Sequence, residues 1–217
     1  MKKIFKSFID LIYKKKCYFC FNSKYSLTMC PECYDKLQFC NFEVNRIIDG
    51  VDVYCAGVYT KELQKLIRGL KYHKQKDLAF YQAKFMYEYF QSIDALKDKN
   101  FELIPVPLHK NRQKKRGYNQ AELFARALGT RLNIPVCTNL LVRERNTVPQ
   151  KELNDTERKN NLKNAFKITQ NIVQLSCILL VDDIYTTGST MDAIATVLKR
   201  AGCRDIYFIC ASIGKGF

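Results

Sequence analysis

The stretch Ile178-Leu-Leu-Val-Asp-Asp-Ile-Tyr-Thr-Thr-Gly-Ser-Thr190 combines an apolar strand, two acids and a hydroxyl-rich turn that opens a helix. The strand is apolar on both faces, as expected of a central strand in a parallel sheet. Ligands of such sheets bind outside the carboxyl ends of the strands, where Asp182 and Asp183 fall. The stretch therefore predicts an α/β fold with a ligand site at this edge of the sheet.

The residues on either side complete a strand, helix, strand unit. We predict a strand over Cys177 to Val181, a helix over Thr190 to Ala201 that Gly202 ends, and a strand over Ile206 to Ala211. Two strands joined by a helix in this way are parallel, with a right-handed crossover.

The chain upstream supplies further strands and helices. Apolar patterning predicts a β-rich run at Val51 to Tyr59, helices at Glu62 to Leu70, Asp77 to Leu96 and Asn119 to Leu132, and a buried strand at Phe101 to Pro107. A basic loop at His109 to Arg116 and a polar stretch at Arg143 to Lys163 connect them.

The turn Thr186-Thr-Gly-Ser-Thr190 has the features of a phosphate site. Free N–H groups and the positive dipole end of the following helix attract an anion, Gly188 permits close approach of the backbone, and the hydroxyls add donors. Asp182 and Asp183 would repel that phosphate unless they face sugar hydroxyls, alone or with a bound Mg²⁺. The alternative is a capped helix with two solvated acids.

A second group of motifs lies in the middle of the chain. Arg116-Gly-Tyr-Asn-Gln120 follows Pro105-Val-Pro-Leu-His109, and Leu70-Lys-Tyr72 precedes both. Further along come Arg143, Thr147, Gln150, Leu153, Arg158, Asn161, Ala165 and Phe166. The acid and T-T-G-S-T signature resembles that of type I phosphoribosyltransferases. With the N-terminal cysteines, the whole pattern resembles the ComF family of competence-associated proteins.

This resemblance implies a site for phosphoribosyl pyrophosphate. Asp182 and Asp183 would be the catalytic acids that hold the ribose 2′ and 3′ hydroxyls. The 5′-phosphate would lie on the loop Thr186, Thr187, Gly188, Ser189 and Thr190, with Arg116 nearby. The fold implied is a phosphoribosyltransferase-like domain, with a mainly parallel sheet flanked by helices, joined to a small N-terminal zinc module. Family members are implicated in natural transformation and act on incoming single-stranded DNA.

The basic residues Lys110, Arg112, Lys114 and Lys115 admit several interpretations. They can track a nucleic-acid backbone, lie near a bound pyrophosphate, or form a solvated charged run. Arg143 similarly contacts pyrophosphate if its stretch closes over the site, and otherwise is surface charge. We assign the four residues of the basic run to nucleic-acid binding.

The first part of the chain carries Cys17-x-x-Cys20 and Cys30-x-x-Cys33, separated by nine residues. Four thiolates at this spacing predict one tetrahedral structural zinc. We place this module at residues 1–45 and the phosphoribosyltransferase-like domain at 46–217. Cys40 lacks a second cysteine nearby, so we assign it to packing, and we predict that Cys55, Cys137, Cys177, Cys203 and Cys210 are small buried hydrophobes.

Composition limits the compartment and the partners. The formal net charge of +15 favours polyanions. No apolar run is long enough for a membrane span, and Met1 to Ile12 is patterned as an amphipathic helix and lacks a cleavage site for a signal peptide. We therefore expect a cytoplasmic protein whose ten cysteines stay reduced.

Three functions remain open from the sequence. The first is a ComF-like protein of DNA uptake that binds phosphoribosyl pyrophosphate with Mg²⁺ and single-stranded DNA, with other competence proteins as candidate partners. The second is a nucleobase salvage phosphoribosyltransferase, which transfers the pentosyl group to a base. In the third, the sugar phosphate is only sensed and adjusts affinity for DNA. The sequence leaves open whether the site turns over.

Overall fold

The computed structural model describes residues 14–40, 51–144, 162, 164–169 and 177–214. The predicted helix at 1–12, the boundary between 45 and 46, and most of the polar stretch, including Gln150, lie outside the described residues. Along the chain, the helices and strands are α1 (Pro31–Tyr34), β1 (Asp52–Val58), α2 (Lys61–Tyr72), α3 (Leu78–Phe90), α4 (Asp94–Lys97), β2 (Glu102–Pro105), α5 (Lys110–Arg116), α6 (Gln120–Leu132), β3 (Leu141–Arg143), β4 (Phe166–Ile168), β5 (Cys177–Tyr185), α7 (Ser189–Arg200) and β6 (Asp205–Ile213).

A four-stranded parallel sheet in the order β1-β6-β5-β2 forms the centre of the fold. β5 lies between β6 and β2, and residues 178–181 of β5 are fully buried. This position explains the unbroken apolar run, because both faces of an inner strand are covered. The predicted α/β class, with a mainly parallel sheet flanked by helices, is confirmed.

The two faces of the sheet have separate apolar cores. On one face, Leu66 of α2, Phe85 of α3 and Phe124 of α6 belong to the same buried cluster as Val181 of β5. On the other face, α7 packs with the antiparallel pair β3 and β4. The ligand-facing edge of the sheet therefore receives side chains from helices on both sides.

Two predictions about the connections were wrong. The basic run is the helix α5, not a loop: the His109 side chain accepts a hydrogen bond from the Asn111 N–H at 3.2 Å, and Gly117 ends the helix at φ +85°. Its lysines and arginines are good helix formers, and a left-handed residue such as Gly117 is a common helix end. Arg143 lies in β3, paired with Phe166 of β4, so the polar stretch begins in a strand.

Two element boundaries also differ from expectation. The helical pattern from Asp77 to Leu96 is interrupted at 91–93, which separates α3 from α4. β5 continues to Tyr185, so Asp182 and Asp183 lie within the strand and not after it. Within the described residues, every helix falls short of the length and apolarity that a membrane span requires.

Candidate ligand site and metal centre

A cavity of about 350 Å³ opens at the carboxyl ends of β2 and β5. Its walls come from the end of α2, the segment after β2, one side of α5, the end of β5 and the beginning of α7. The residues that line it are Lys71, Tyr72, Val106, Pro107, Leu108, Arg112, Arg116, Gln120, Arg143, Asp182, Asp183, Ile184, Tyr185, Thr186, Gly188, Ser189, Thr190 and Met191. This is the edge where the sequence predicts a ligand.

Asp183 belongs to a buried polar cluster on the α2 and α6 side of the sheet. Its two carboxylate oxygens lie 2.9 and 2.8 Å from the Lys71 ammonium, and the Gln120 amide donates to it at 3.1 Å. The Lys71 and Asp183 side chains are only 19% and 6% exposed. Burial favours the neutral amine, but the charge and hydrogen bond of Asp183 outweigh it and raise the pKa of Lys71.

Asp182 lies on the other side of β5, because successive residues of a strand point to opposite faces. One of its carboxylate oxygens accepts a hydrogen bond from the Asp183 N–H at 2.8 Å. Burial and then the negative charge of Asp183 raise the pKa of Asp182 to about 7, against the lowering effects of Lys71 and Arg143. The two adjacent acids therefore differ: Asp183 has a cation of its own, and Asp182 is poorly neutralised.

This difference predicts a pH-dependent effect of Asp182→Asn on stability. A folded pKa above the ordinary 3.8 means that the folded chain binds more protons than the unfolded one between about pH 4 and 7. Asp182 thus destabilises the fold as pH rises through that window. We expect Asp182→Asn, which keeps the acceptor oxygen, to be more stable than wild type by roughly 2 kcal/mol at pH 8, since one pKa unit corresponds to about 1.4 kcal/mol.

Urea unfolding of both proteins at pH 4, 6 and 8 measures this effect. The gain should become small near pH 4, where the folded-state carboxyl group is protonated and the unfolded-state group is about half protonated. A stability difference that stays constant from pH 4 to 8 would contradict the burial of an ionisable Asp182.

Two arginines of α5 enter the cavity wall. Arg112 and Arg116 are four residues apart and so share one helix face. The Arg116 guanidinium donates to the Gln120 side chain and lies 5.8 Å from the centre of the Tyr72 ring. The other cations of α5, Lys110, Lys114 and Lys115, are not among the lining residues. The sequence analysis assigned Arg112 to nucleic-acid binding. The structure places it in the wall of the cavity beside Arg116.

Arg143 is a further cation of the site. It is 8% exposed and its guanidinium carbon lies 5.4 Å from the centre of the Phe166 ring. Burial and the nearby charge of Arg112 lower the pKa of Arg143 to about 10, while Asp182 acts in the opposite direction. The surface-charge interpretation of Arg143 is wrong. With Lys71, Arg112 and Arg116 it makes four cations beside two acids, a charge balance suited to a multiply charged anion.

The turn before α7 adopts the conformation expected of an anion cradle. Gly188 has φ +79°, a value that glycine adopts without strain, and it is the N-cap of α7. Thr186, Gly188, Ser189 and Thr190 line the cavity, whereas Thr187 does not. The hydroxyl of Thr187 lies 2.9 Å from that of Ser189, so Thr187 acts on the loop through its neighbour.

Lys71 and Tyr72 are the members of the site that no chemical reasoning from the sequence assigned. Lys71 lies 112 residues from Asp183 along the chain, so no local spacing rule connects the two. The only signal was the Leu70-Lys-Tyr72 element of the family pattern. Tyr118, in contrast, is a packed residue: it is 7% exposed and its hydroxyl donates to the Leu70 carbonyl.

The four N-terminal cysteines form one cluster. The sulfurs of Cys17, Cys20, Cys30 and Cys33 all lie within 4.8 Å of one another, so they can hold a metal ion. The sulfurs of Cys20 and Cys30 are 3.6 Å apart, close to the roughly 3.8 Å between sulfurs in a tetrahedron with zinc–sulfur bonds of about 2.3 Å. A set of four thiols fits a closed, structural site.

Hydrogen bonding at Cys17 favours its thiolate. The N–H groups of Phe19 and Cys30 each donate to the Cys17 sulfur at 3.4 Å. Burial opposes ionisation, but these backbone donors outweigh it and lower the pKa of Cys17 to about 6. Burial raises the pKa of Cys30 to about 11 and also that of Cys33. A divalent cation counteracts such shifts, because it stabilises the deprotonated ligands.

The remaining cysteines only partly follow the prediction. Cys40 is buried outside the cluster, and its N–H donates to the Ala56 carbonyl beside β1. Cys55, Cys203 and Cys210 are buried as predicted. Cys137 and Cys177 are only partly buried, which corrects that prediction for both; Cys177 is the first residue of β5.

Comparisons with known proteins give relatives over most of the chain. No protein-family profile matches the chain. The chain is 32% identical over 191 residues to competence protein F of Haemophilus influenzae, covering 83% of this chain and 82% of that protein. The chain belongs to the ComF family.

Other ComF relatives have similar names. The DNA utilization protein YhgH of Salmonella typhimurium is 31% identical over 156 residues, 70% of this chain and 67% of the relative. Competence protein ComFC of Bacillus subtilis is 37% identical over 105 residues, 48% of this chain and 41% of the relative. The family resemblance stated from the motifs is confirmed.

Proposed function

We propose that this ComF-family chain binds phosphoribosyl pyrophosphate in the cavity and single-stranded DNA on the adjoining basic surface, as part of DNA uptake in the cytoplasm. The observation that carries the first half is the charge arrangement of the cavity. Four buried or half-buried cations surround two acids next to a glycine-capped helix start. A sugar with phosphates at two ends and hydroxyls between them matches that alternation of charge.

Each part of the ligand has a corresponding part of the cavity. The 5′-phosphate would accept from the first N–H groups of α7 and from the hydroxyls of Thr186, Ser189 and Thr190. Arg112, Arg116 and Arg143 would neutralise the pyrophosphate, which binds with Mg²⁺. Asp182 and Asp183 would accept from the ribose hydroxyls.

Phosphoribosyl pyrophosphate titrated calorimetrically with Mg²⁺ tests the cavity. We expect Asp182→Asn/Asp183→Asn to bind about 30-fold more weakly than wild type, because neutral amides accept more weakly from sugar hydroxyls than carboxylates do. Asp205→Asn is the matched control, since Asp205 is exposed at the opposite end of the sheet. Equal affinity in the double variant and the control would overturn the assignment.

Pyrophosphate release in the presence of a purine or pyrimidine base would instead indicate a nucleobase salvage phosphoribosyltransferase.

The DNA half of the proposal is supported by charge and by the family. Relatives are named for competence and for DNA utilization, and this chain has a formal net charge of +15. Lys110, Lys114 and Lys115 extend from α5 away from the cavity lining, which leaves them available to a phosphate backbone. The cysteine cluster, which we propose holds zinc, is structural.

Fluorescence anisotropy with a labelled oligothymidine across a salt series tests DNA binding. Each phosphate contact contributes about 0.7 to the slope of log affinity against log salt concentration. We expect Lys110→Gln/Lys114→Gln to lower affinity and reduce that slope by about 1.4. If wild type does not bind the oligomer at low salt, the DNA half of the proposal fails.

A further inference from the structure

The outer face of α2 carries a stripe of cations that ends in an aromatic ring. Lys61, Lys65, Arg68 and Tyr72 are spaced by four, three and four residues. At about 3.6 residues per turn, that spacing brings all four onto one side of the helix. The opposite side is the buried one, where Leu63, Leu66, Ile67 and Leu70 are at most 1% exposed. Packing of α2 on the sheet therefore directs the stripe away from the core, with Lys61, Arg68 and Tyr72 exposed and Lys65 half-buried.

The first half of the stripe contacts the cysteine module. The Lys65 ammonium donates to the Phe19 carbonyl at 3.1 Å and lies 5.4, 5.6 and 5.4 Å from the ring centres of Tyr18, Phe19 and Phe21. Phe21 is 70% exposed and follows directly after Cys20. A large apolar ring held in solvent beside cations makes a stacking platform.

The other end of the stripe reaches the cavity. Tyr72 is 61% exposed and lines the mouth of the cavity, with the Arg116 guanidinium 5.8 Å from its ring centre. From Lys61 to Tyr72 the helix rises about 17 Å, at about 1.5 Å per residue. The stripe is thus a short line of positive charge, with an exposed ring beside each half.

We propose that this face of α2, from Phe21 to Tyr72, is a track for single-stranded DNA that leads to the mouth of the cavity. The inference rests on the proposed DNA binding and names its surface. Bases of a single strand are free to stack on Phe21 and Tyr72, while the phosphates lie along Lys61 and Arg68. Paired bases of a duplex cannot stack in this way. The lysines of α5, which adjoins the same mouth through Arg116, extend the positive surface beyond Tyr72.

The test compares variants of equal charge in the full chain. Lys61→Gln/Arg68→Gln removes two exposed cations of the stripe, and Arg200→Gln/Arg204→Gln removes two exposed cations at the far end of α7 and the start of β6. Phe21→Asn removes the ring, and asparagine suits the left-handed backbone at φ +61°. Lys65 is left in place because it holds the Phe19 carbonyl.

Anisotropy with labelled oligothymidine gives the readout, and thermal unfolding confirms that each variant folds. We expect Lys61→Gln/Arg68→Gln, the stripe variant, to bind oligothymidine at least 10-fold more weakly than wild type at low salt. Its slope of log affinity against log salt concentration should be smaller by about 1.4, because each of two lost phosphate contacts contributes about 0.7. Phe21→Asn should bind about 5- to 10-fold more weakly with an unchanged salt slope, because stacking involves no counterions. The Arg200/Arg204 control should change affinity less than 2-fold.

Two results would overturn the track. One is a loss of oligothymidine affinity, relative to wild type, that is no larger in the stripe variant than in the Arg200/Arg204 control. The other is an equal loss for blunt duplex DNA, which would indicate general electrostatic attraction. Both require that wild type binds oligothymidine, so failure of the proposed function is seen first, in the unmodified chain.

Discussion

Replacement of Cys33 by serine should remove bound zinc and lower the free energy of unfolding by at least about 3 kcal/mol. A hydroxyl is a poor zinc ligand, and loss of one of four thiolates opens the site. The effect should spread beyond the module, because Cys33 is 6% exposed within the same apolar cluster as Leu66 of α2 and Phe85 of α3. Metal content by mass spectrometry and urea unfolding measure the two effects.

Cys137→Ser is the matched control for this substitution. Cys137 is half-exposed, lies outside the cluster and donates to the Asn139 side chain at 3.3 Å, a bond that serine can retain. The control should keep one zinc per chain and change stability by less than about 1 kcal/mol, the range of an ordinary surface substitution. A Cys33→Ser protein that retains full zinc and wild-type stability would contradict the metal site.

Contacts between the module and the domain predict a single unfolding transition for the zinc-loaded chain. The Tyr34 hydroxyl donates to Glu88 of α3 at 2.6 Å, and the Phe39 ring stacks on Phe85 with centres 4.5 Å apart. Cys17, Cys30 and Cys33 contribute to the core that α2 and α3 also form. Opening of the cysteine cluster would therefore expose part of the core shared with α2 and α3, so the stability lost in Cys33→Ser should exceed that of a broken exposed ion pair.

The conformation of the turn at 186–190 was predictable because its signals are local. A fully apolar strand, Gly188 and the hydroxyls occur within thirteen residues, and each acts through the backbone of its own segment. The cysteine cluster was predictable for the same reason, since two short knuckles fix the spacing of their thiolates. In both cases the sequence distance between interacting groups is small.

The remainder of the site depends on tertiary packing. Lys71 meets Asp183 only because α2 and β5 pack together, and the opposite orientations of Asp182 and Asp183 depend on the extension of β5 past Val181. Charge density suggested a loop at 109–116, whereas the residues there are good helix formers with caps at both ends. Hydrophobic patterning has no signal for a buried Arg143, since arginine is mostly exposed.

Lys71→Met should have the largest effect of any single substitution in the cavity. It removes the cation that contacts Asp183 at 2.8 Å and leaves a carboxylate that is 6% exposed beside Asp182. Loss of one partner of a buried ion pair costs about 3–5 kcal/mol, because the other charge stays buried. We expect a loss of at least about 3 kcal/mol in urea unfolding at pH 8. Lys97→Met, which breaks the exposed pair with Asp94, should cost less than about 1 kcal/mol.

The double variant Lys71→Met/Asp183→Asn separates the folding role of the pair from its role in the site. Its neutral side chains should restore most of the lost stability, because no unpaired charge stays buried and asparagine still accepts from Gln120. Affinity for phosphoribosyl pyrophosphate should remain at least about 100-fold below wild type and below that of Asp183→Asn alone, since a cavity cation is missing as well as the Asp183 carboxylate and the ligand is an anion. Affinity equal to that of Asp183→Asn alone would mean that Lys71 serves only to neutralise Asp183. Recovered stability with an affinity below that of Asp183→Asn would mean that the same lysine also attracts the ligand.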